Sequence, residues 1–264
     1  MANDQSQHVK GSMATAICEL AQYTSREDTI SYILPPVISI MKDAVTEVRV
    51  SLMSKLGKLA DAIGEDEVNN LLIPEVEKLA KDNTWRVRMA TIEFVPNMVD
   101  FISKDTFDEK ILPLLKVWLE DTVHQVRIET VKCLMKLKSN NDKNFDQQWL
   151  ESLFELWYGE LHKHQKFAIR IHTLFSVNII YQELSDKFLN DKVYKIYMKA
   201  LSADPVPNIR FNYAKTAQIV KSRLSNSNLM DCQDTLKKLE QSDSDFDVKF
   251  YSAKTLSESF SNNK

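Results

Sequence analysis

Carboxylate and basic side chains recur in pairs along this chain, an Asp followed six residues later by an Arg or a Lys. The pairs are Asp4 and Lys10, Asp43 and Arg49, Asp82 and Arg88, Asp121 and Arg127, Asp204 and Arg210, and Asp243 and Lys249. A seventh base, Arg170, has His164 in place of the Asp. Such side chains form ion pairs and cap helices, and a motif repeated along a whole chain cannot be one active site. The pattern therefore predicts a structural ladder, in which each base is within reach of the Asp of its own or the neighbouring copy.

The spacing of these bases predicts the elements that hold them. Successive bases are 39, 39, 39, 43, 40 and 39 residues apart, and a period near 40 is typical of stacked helix pairs. After the second base, the apolar residues Leu52, Leu56 and Leu59 follow at helical spacing. Only 4 glycines and 7 prolines occur, too few for a turn-rich β protein. We predict an all-α fold, a right-handed α-solenoid of roughly seven antiparallel helix pairs.

The predicted domain is a single repeat array over residues 1–264. Its copies span approximately 1–28, 29–66, 67–105, 106–141, 145–185, 186–226 and 227–260. The first copy holds only the second half of a repeat, so we expect the chain to be a fragment or a natural short form of a longer array. In the second copy we expect helices over 30–42 and 48–62, with Gly64 ending the second helix. The first helices of three copies contain a proline, Pro35, Pro74 or Pro113.

The residues between each Asp and its base differ from copy to copy, and the turn is expected to expose them. They are Trp85, Arg86, His124, Phe167, Val206, Pro207, Asn208 and Phe246. Trp and Arg are the residue types that most often anchor protein interfaces. An exposed Trp beside an Arg therefore predicts a protein-binding surface along these turns, although Trp85 packing back on a neighbouring repeat remains an alternative.

Composition argues against several classes of partner and location. A net charge of -3 and an isoelectric point near 6.0 do not favour nucleic-acid binding. The sequence contains no apolar stretch of membrane-spanning length, so no membrane is expected as a partner. Three distant cysteines, Cys18, Cys133 and Cys232, predict reduced thiols in the cytoplasm, with the nucleus as an alternative.

No residue pattern indicates catalysis or a bound metal. His162, His164 and His172 have no cysteine or carboxylate at ligand spacing, so we predict surface histidines and no metal or cofactor. A phosphate-binding loop and a nucleophile elbow are both absent from the sequence. The chain is therefore predicted not to be an enzyme.

Two segments resemble a known family. Residues 81–96 read Lys-Asp-Asn-Thr-Trp-Arg-Val-Arg-Met-Ala-Thr-Ile-Glu-Phe-Val-Pro, and residues 204–212 read Asp-Pro-Val-Pro-Asn-Ile-Arg-Phe-Asn. They resemble the eleventh and fourteenth HEAT repeats of the scaffold (A) subunit of protein phosphatase 2A. The order of the motifs and the loop lengths are similar over nearly the whole chain, which corresponds to the last seven of that family's fifteen repeats.

The resemblance implies a non-catalytic scaffold that binds a phosphatase catalytic subunit through the turns within repeats. The residues carried over are Trp85, Arg86, His124, Phe167, Ala168, Val206, Pro207, Asn208 and Phe246. His124 stands where the family often has Tyr, and the fifth copy lacks the family's Asp-Pro. Regulatory B-type subunits are expected to bind weakly, because the repeats corresponding to the family's first eight are missing.

Two alternatives remain beside the phosphatase scaffold. One is another HEAT-repeat adaptor, such as a transport receptor, with contacts on its helix faces instead of its turns. The other is a helical-repeat enzyme, such as a glycosylase or a hydroxylase. The acidic composition argues against the first alternative. The lack of any His-Glu dipeptide argues against an iron-dependent form of the second.

Overall fold

The structure is a computed structural model that describes residues 6–139 and 143–260 of the chain. Every regular element in those two ranges is a helix, so the predicted all-α fold is confirmed there. None of the described helices has both the length and the apolar composition needed to cross a bilayer. Asp4, the first Asp of the predicted ladder, lies outside the described residues.

The α-helices of seven or more residues are numbered α1 to α13. They are α1 Gln7–Leu20, α2 Leu34–Met41, α3 Thr46–Met53, α4 Leu56–Ile63, α5 Ile73–Leu79, α6 Trp85–Met98, α7 Leu112–Leu119, α8 His124–Ser139, α9 Gln147–Leu161, α10 Phe167–Ile180, α11 Pro207–Val220, α12 Asn226–Ser242 and α13 Phe246–Phe260. Shorter α-helical segments are Arg26–Asp28, Glu65–Glu67, Lys104–Thr106, Asp186–Phe188 and Lys199–Ser202. Turns of 3-10 helix lie at Ala21–Tyr23, Lys143–Phe145, Tyr181–Glu183 and Lys221–Arg223.

Wider, π-helical turns precede the three prolines of the first helices. They span Thr29–Ile33, Val68–Leu72 and Phe107–Ile111, and the proline is the second residue of the α-helix that follows. The N–H of Leu34, for example, donates to the carbonyl of Thr29, five residues back. Proline lacks a backbone donor and its ring crowds the preceding turn, so a wider turn accommodates it. Another π-helical segment, Leu189–Met198, contains no proline, so proline is not the only cause.

Contacts divide the chain into two units, Met1–Lys136 and Leu137–Lys264. In the first unit α1 packs on α3 and α3 packs on α6, and in the second α10 packs on α11 and α11 on α13. The third residue of the second helix is buried in six repeats, namely Val48, Val87 and Val126 in the first unit and Ile169, Ile209 and Val248 in the second, whereas Val9 of α1 is 39% exposed. Burying such a side chain stabilises the fold by about 1.5–3 kcal/mol. The Nε1 of Trp118 also donates to the carbonyl of Ala80 at 2.8 Å, which joins α7 to the end of the preceding first helix.

Two helix boundaries in the second pair differ from the prediction. The first helix begins at Arg26 instead of residue 30, because the hydroxyl of Ser25 accepts a hydrogen bond from the N–H of Asp28 and caps it. The second begins at Thr46 instead of residue 48 and is interrupted at Ser54 and Lys55. Its predicted end at Gly64 is confirmed, since that residue has a φ of 88°.

The prediction of surface histidines was wrong for two of the three. His162 and His172 are buried in the second unit, whereas His164 is partly exposed. The Nδ1 of His162 lies 2.5 Å from the carbonyl oxygen of Tyr158, one turn earlier in the sequence. The hydroxyl of Tyr158 donates to Ser176, so backbone and hydroxyl groups give these buried rings a polar surrounding. In the described part of the chain, no group of three or more His, Cys, Asp or Glu side chains is arranged to hold a metal.

Candidate functional site

Each predicted Asp that the structure describes organises the turn between the two helices of its repeat. Its Oδ1 accepts a hydrogen bond from the backbone N–H two residues later, at 2.8 to 2.9 Å. The donors are the N–H groups of Val45, Thr84, Val123, Val206 and Asp245. This is an Asx turn, and it sets the extended conformation from which the second helix begins. The carboxylate therefore bonds to the residue just before the helix, not to the free N–H groups of its first turn.

The arginines of the ladder bond to their own repeats through the backbone. The Nη1 of Arg49, Arg88 and Arg210 donates to the carbonyl of the Asp six residues earlier, at 2.5, 2.7 and 2.6 Å. Arg170 does the same with the carbonyl of His164, at 2.8 Å. The guanidinium is thus held over its own turn, with its remaining N–H groups directed away from it.

The remaining N–H groups of the base reach the Asp of the following repeat. In the first unit the pairs are Lys10 with Asp43 at 2.7 Å, Arg49 with Asp82 at 3.2 Å and Arg88 with Asp121 at 2.7 Å. In the second unit they are Arg170 with Asp204 at 2.7 Å and Arg210 with Asp243 at 2.6 Å. The side-chain ladder therefore runs between repeats, while the link within each repeat is a backbone bond.

The ladder shifts the pKa values of several residues in the second unit. The hydrogen bond from Arg210 lowers the pKa of Asp243, and the same bond raises the pKa of Arg210. Burial acts against ionisation of Asp204, but its bonds to Arg170 and to the N–H of Val206 outweigh burial and lower its pKa. These pairs are therefore charged at neutral pH, and their shared hydrogen bonds fix the spacing of the repeats.

Three positions depart from this pattern. His164 replaces the Asp, yet its Nδ1 accepts from the N–H of Lys166 at 3.0 Å and so forms an equivalent turn. Arg127 bonds to the carbonyl of Asp121, but its buried Nε has no hydrogen-bond partner in the described part of the chain. Burial lowers the pKa of Arg127. Lys249 likewise makes no ion pair with a carboxylate there.

The predicted binding residues lie at the start of each second helix, not in the turn that precedes it. Trp85, His124, Phe167, Pro207 and Phe246 are the first residues of α6, α8, α10, α11 and α13. Arg86, Ala168 and Asn208 follow as second residues, and Val206 is the residue immediately before α11. These side chains were expected in the turn because the predicted second helix began about two residues too late.

The first unit brings Trp85 and Arg86 together with residues of neighbouring repeats. Trp85 is 39% exposed, and a groove of about 800 Å³ lies beside it. Pro113, Val117 and Trp118 of α7 line that groove together with Trp85. Arg86 donates to Glu47, the second residue of α3, at 3.0 Å. Both side chains of this ion pair are about half exposed, so both remain accessible to a partner.

His124 is exposed at the start of α8 in the same unit. Burial of part of its ring and the positive charge of Arg127 lower its pKa. The ring is therefore neutral at neutral pH.

The second unit holds the remaining predicted residues in different environments. Phe167 is 50% exposed and Phe246 is 78% exposed, whereas Ala168, Val206 and Pro207 are half-buried. The side-chain oxygen of Asn208 accepts from Asn212 at 2.9 Å, one turn later in α11. The two exposed aromatic rings are the strongest candidates for contact with a partner.

Several accessible residues near this site were not predicted from the sequence. Phe250 is 54% exposed and its ring centroid lies 6.4 Å from that of Phe246, while Val117 is 57% exposed beside the Trp85 groove. The spacing of four between Phe246 and Phe250 was a usable signal, because it places both side chains on one helix face. Nothing in the local sequence marked Val117, which resembles the core residues around it.

Comparison with known proteins places the chain among helical-repeat proteins. The model of the family described as PIK3R4-like, middle domain, matches residues 24–225, which are 202 of the 264 residues. Among solved structures, Cex1p is similar over 94% of this chain and 44% of its own, with a TM-score of 0.59 and 12% identity. The MAST/Orbit N-terminal domain is similar over 78% of this chain and 96% of its own, with a TM-score of 0.53 and 18% identity.

These likenesses concern the fold alone, since the identities are low. The chain spans less than half the length of the Cex1p chain. No curated protein sequence matches it. The fold is that of an all-α solenoid of helical repeats, as the 39-residue period predicts.

Proposed function

Since this chain belongs to the PIK3R4-like middle-domain family, we propose that it is a non-catalytic helical-repeat adaptor whose partner binds at the exposed starts of the second helices. One observation carries this proposal: a half-exposed Trp85 borders an apolar groove, with the accessible cation of Arg86 next to it in sequence. An aromatic anchor beside an Arg is the combination that most often dominates protein interfaces.

The finer proposal is that the partner is the catalytic subunit of a protein phosphatase of the 2A type. The resemblance of residues 81–96 and 204–212 to the scaffold subunit family supports it. In this proposal Trp85, Arg86 and His124 contact the partner from the first unit. Phe167, Ala168, Val206, Pro207, Asn208 and Phe246 contact it from the second unit. A cytoplasmic location, with the nucleus as an alternative, is part of the same proposal.

A different helical-repeat adaptor is the second candidate. The family match favours it, because the matching family is described as a PIK3R4-like middle domain and not as a phosphatase scaffold. In that case we expect the surface around Trp85 to bind another protein, while the chain has no affinity for a phosphatase.

The test is titration calorimetry of the chain against a protein phosphatase 2A catalytic subunit. We expect Trp85→Ala to weaken binding by about 30-fold, which corresponds to a loss of about 2 kcal/mol for a central anchor. Tyr32→Ala is the matched control, because Tyr32 is an aromatic residue of the same unit that is 74% exposed. Absence of binding by the folded parent chain would exclude the phosphatase. Equal affinity of parent and Trp85→Ala would exclude this surface.

A further inference from the structure

A second group of exposed aromatic rings lies on the helix faces of the second unit. It consists of Phe211 and Lys215 of α11 and Phe250, Tyr251 and Lys254 of α13, and we call it the aromatic–lysine face. The ring of Phe211 meets that of Tyr251 edge to face at 4.5 Å between centroids, and Phe250 meets Tyr251 at 5.9 Å. The three rings therefore form one continuous apolar surface that bridges the two helices.

This surface is exposed to a degree unusual for aromatic residues. Phe250 is 54% exposed and Phe211 and Tyr251 are partly exposed. Phe246, at the first turn of α13, is 78% exposed and extends the same apolar surface through its contact with Phe250. Contiguous apolar surface of this kind marks an interaction site more often than isolated exposed side chains do.

Two ammonium groups lie over these rings. The Nζ of Lys215 is 4.5 Å from the centroid of Phe211 and 4.8 Å from that of Tyr251, and the Nζ of Lys254 is 5.5 Å from that of Tyr251. Lys215 makes no ion pair with any carboxylate in the described residues, and Lys254 is 3.9 Å from Glu258, at the limit of an ion pair. The face thus combines apolar rings with a cation that lacks a counter-charge.

The surrounding acidic residues restrict what can bind there. Asp247 lies three and four residues before Phe250 and Tyr251, so it shares their face of α13, and Glu258 lies one turn after Lys254. A phosphate backbone or an anionic bilayer requires several adjacent cations without interspersed carboxylates. A single carboxylate at Lys215 satisfies this arrangement, because Lys215 makes no ion pair with a carboxylate of the described residues.

We propose that the aromatic–lysine face binds a short segment of a partner protein that carries an apolar side chain next to a carboxylate. The apolar side chain packs on Phe250 and Phe211, and the carboxylate accepts hydrogen bonds from the ammonium of Lys215. A hydrogen bond with two charged partners is stronger where neighbouring rings exclude water. The aromatic–lysine face belongs to the second unit and the Trp85 groove to the first, and the proposal does not depend on the identity of the partner that binds at that groove.

The experiment uses a phage-displayed library of random dodecapeptides selected against the whole chain. We expect the enriched peptides to carry Asp or Glu beside Phe, Leu, Ile, Val or Trp. A synthetic copy of the most enriched peptide is then titrated by fluorescence anisotropy. Phe250→Ala and Lys215→Glu should each weaken its binding by about tenfold or more, the effect of losing about 1.4 kcal/mol of binding free energy. Leu156→Ala and Lys238→Glu are matched controls on exposed residues elsewhere in this unit, and neither should alter the affinity.

A charge exchange separates recognition of the carboxylate from a general change in the fold. Replacing the peptide's acidic residue with Lys should weaken binding to the parent chain and restore binding to Lys215→Glu. Circular dichroism confirms that each variant is folded. The proposal is overturned by a failure to enrich any peptide, by enrichment of basic peptides, or by equal affinity of the parent and Lys215→Glu.

Two further measurements identify other occupants of the face. Sedimentation that shows self-association of the parent, lost in Phe250→Ala, would assign the face to a second copy of the chain and overturn the proposal. Binding to phosphatidylserine-containing vesicles that is lost in the same variant would assign it to a membrane, with the same consequence. Monomeric sedimentation and no vesicle binding are the expected results.

Discussion

Arg88 of α6 binds the carboxylate of Asp121 in the next repeat through two hydrogen bonds, Nε to Oδ2 at 2.7 Å and Nη2 to Oδ1 at 2.9 Å. Its Nη1 donates a third to the carbonyl of Asp82, also at 2.7 Å. The side chains of Arg88 and Asp121 are only 13% and 9% exposed. One planar group thus fixes both the turn of its own repeat and the position of the following one.

Removing the guanidinium of Arg88 should destabilise the fold. We expect Arg88→Ala to lower the free energy of unfolding by about 2–4 kcal/mol, because Asp121 is left nearly buried without its partner. Arg88→Lys should cost about 1 kcal/mol, since an ammonium cannot reproduce the paired geometry. Urea unfolding measures both. Lys195→Ala is the control: its ion pair with Asp191 is about half exposed and should contribute no more than about 1 kcal/mol. A loss as large for Lys195 as for Arg88 would contradict this account.

His164 is expected to act as a substitute for Asp in its turn. His164→Ala should destabilise the chain by about 0.5–1.5 kcal/mol, because the N–H of Lys166 loses its acceptor. His164→Asn should restore most of that stability, since an amide oxygen can accept the same bond. Thermal unfolding followed by circular dichroism compares the three proteins. Equal stability of the Ala and Asn variants would show that the acceptor is unimportant.

Replacing two glycines with alanine should change the free energy of unfolding in opposite directions. Gly64 has a φ of 88° and a ψ of 170°, and a Cβ there would lie 3.3 Å from the guanidinium of Arg26. Gly64→Ala should therefore cost about 1–3 kcal/mol. Gly159 lies within α9, and beyond the adjacent backbone of that helix no atom lies within 4 Å of an added Cβ, so Gly159→Ala should stabilise the chain by about 0.5–1 kcal/mol. Urea unfolding of the two variants measures both changes in the free energy of unfolding. A change of the same sign in both variants would contradict this prediction.

The buried ring of His162 should make stability depend on pH. Burial lowers the pKa of His162, and this effect exceeds the opposing effect of its bond to the carbonyl of Tyr158. In the unfolded chain the group titrates near the usual value of about 6.5. Between the two pKa values the unfolded state binds more protons than the folded state. The contribution of His162 to the free energy of unfolding is therefore complete above about pH 6.5, and it is lost as the pH falls towards the lower pKa of the folded state.

His162→Gln should therefore show a smaller loss of stability between pH 8 and pH 5.5 than the parent chain. Gln165→Ala is the control, because Gln165 is an exposed residue without a titratable side chain and its replacement should leave the pH dependence unchanged. Urea midpoints at the two pH values provide the measurement. An unchanged pH dependence in His162→Gln would exclude this residue as the cause.

The helix pairs were predictable because Asp, base and apolar residues recur together. Val48, Val87 and Val126 precede the bases at a constant spacing and are all completely buried. Their periodicity identifies the face of these second helices that is buried. A period of 39 residues averages out the irregularities of single repeats, so it identifies the fold more reliably than any one helix does.

Other features depended on contacts that the local sequence does not encode. The start of the first helix at Arg26 follows from the Ser25 cap, which lies outside the apolar pattern. His162 is polar, yet it is buried because Tyr158 supplies a backbone acceptor one turn away. The exposed surface at Phe250 arises from the packing of α13 against α11, so its ring contacts were visible only in three dimensions.

The direction of the Asp and Arg bonds also bears on how such a protein can grow. Within each unit a repeat offers its basic side chain to the repeat after it and its carboxylate to the one before it, and the paired residues are 33 or 34 positions apart. A tandem duplication of one such segment in the gene would insert a copy that already carries both halves of the required contact. Lengthening the molecule in this way then needs no compensating substitution in the neighbouring repeats.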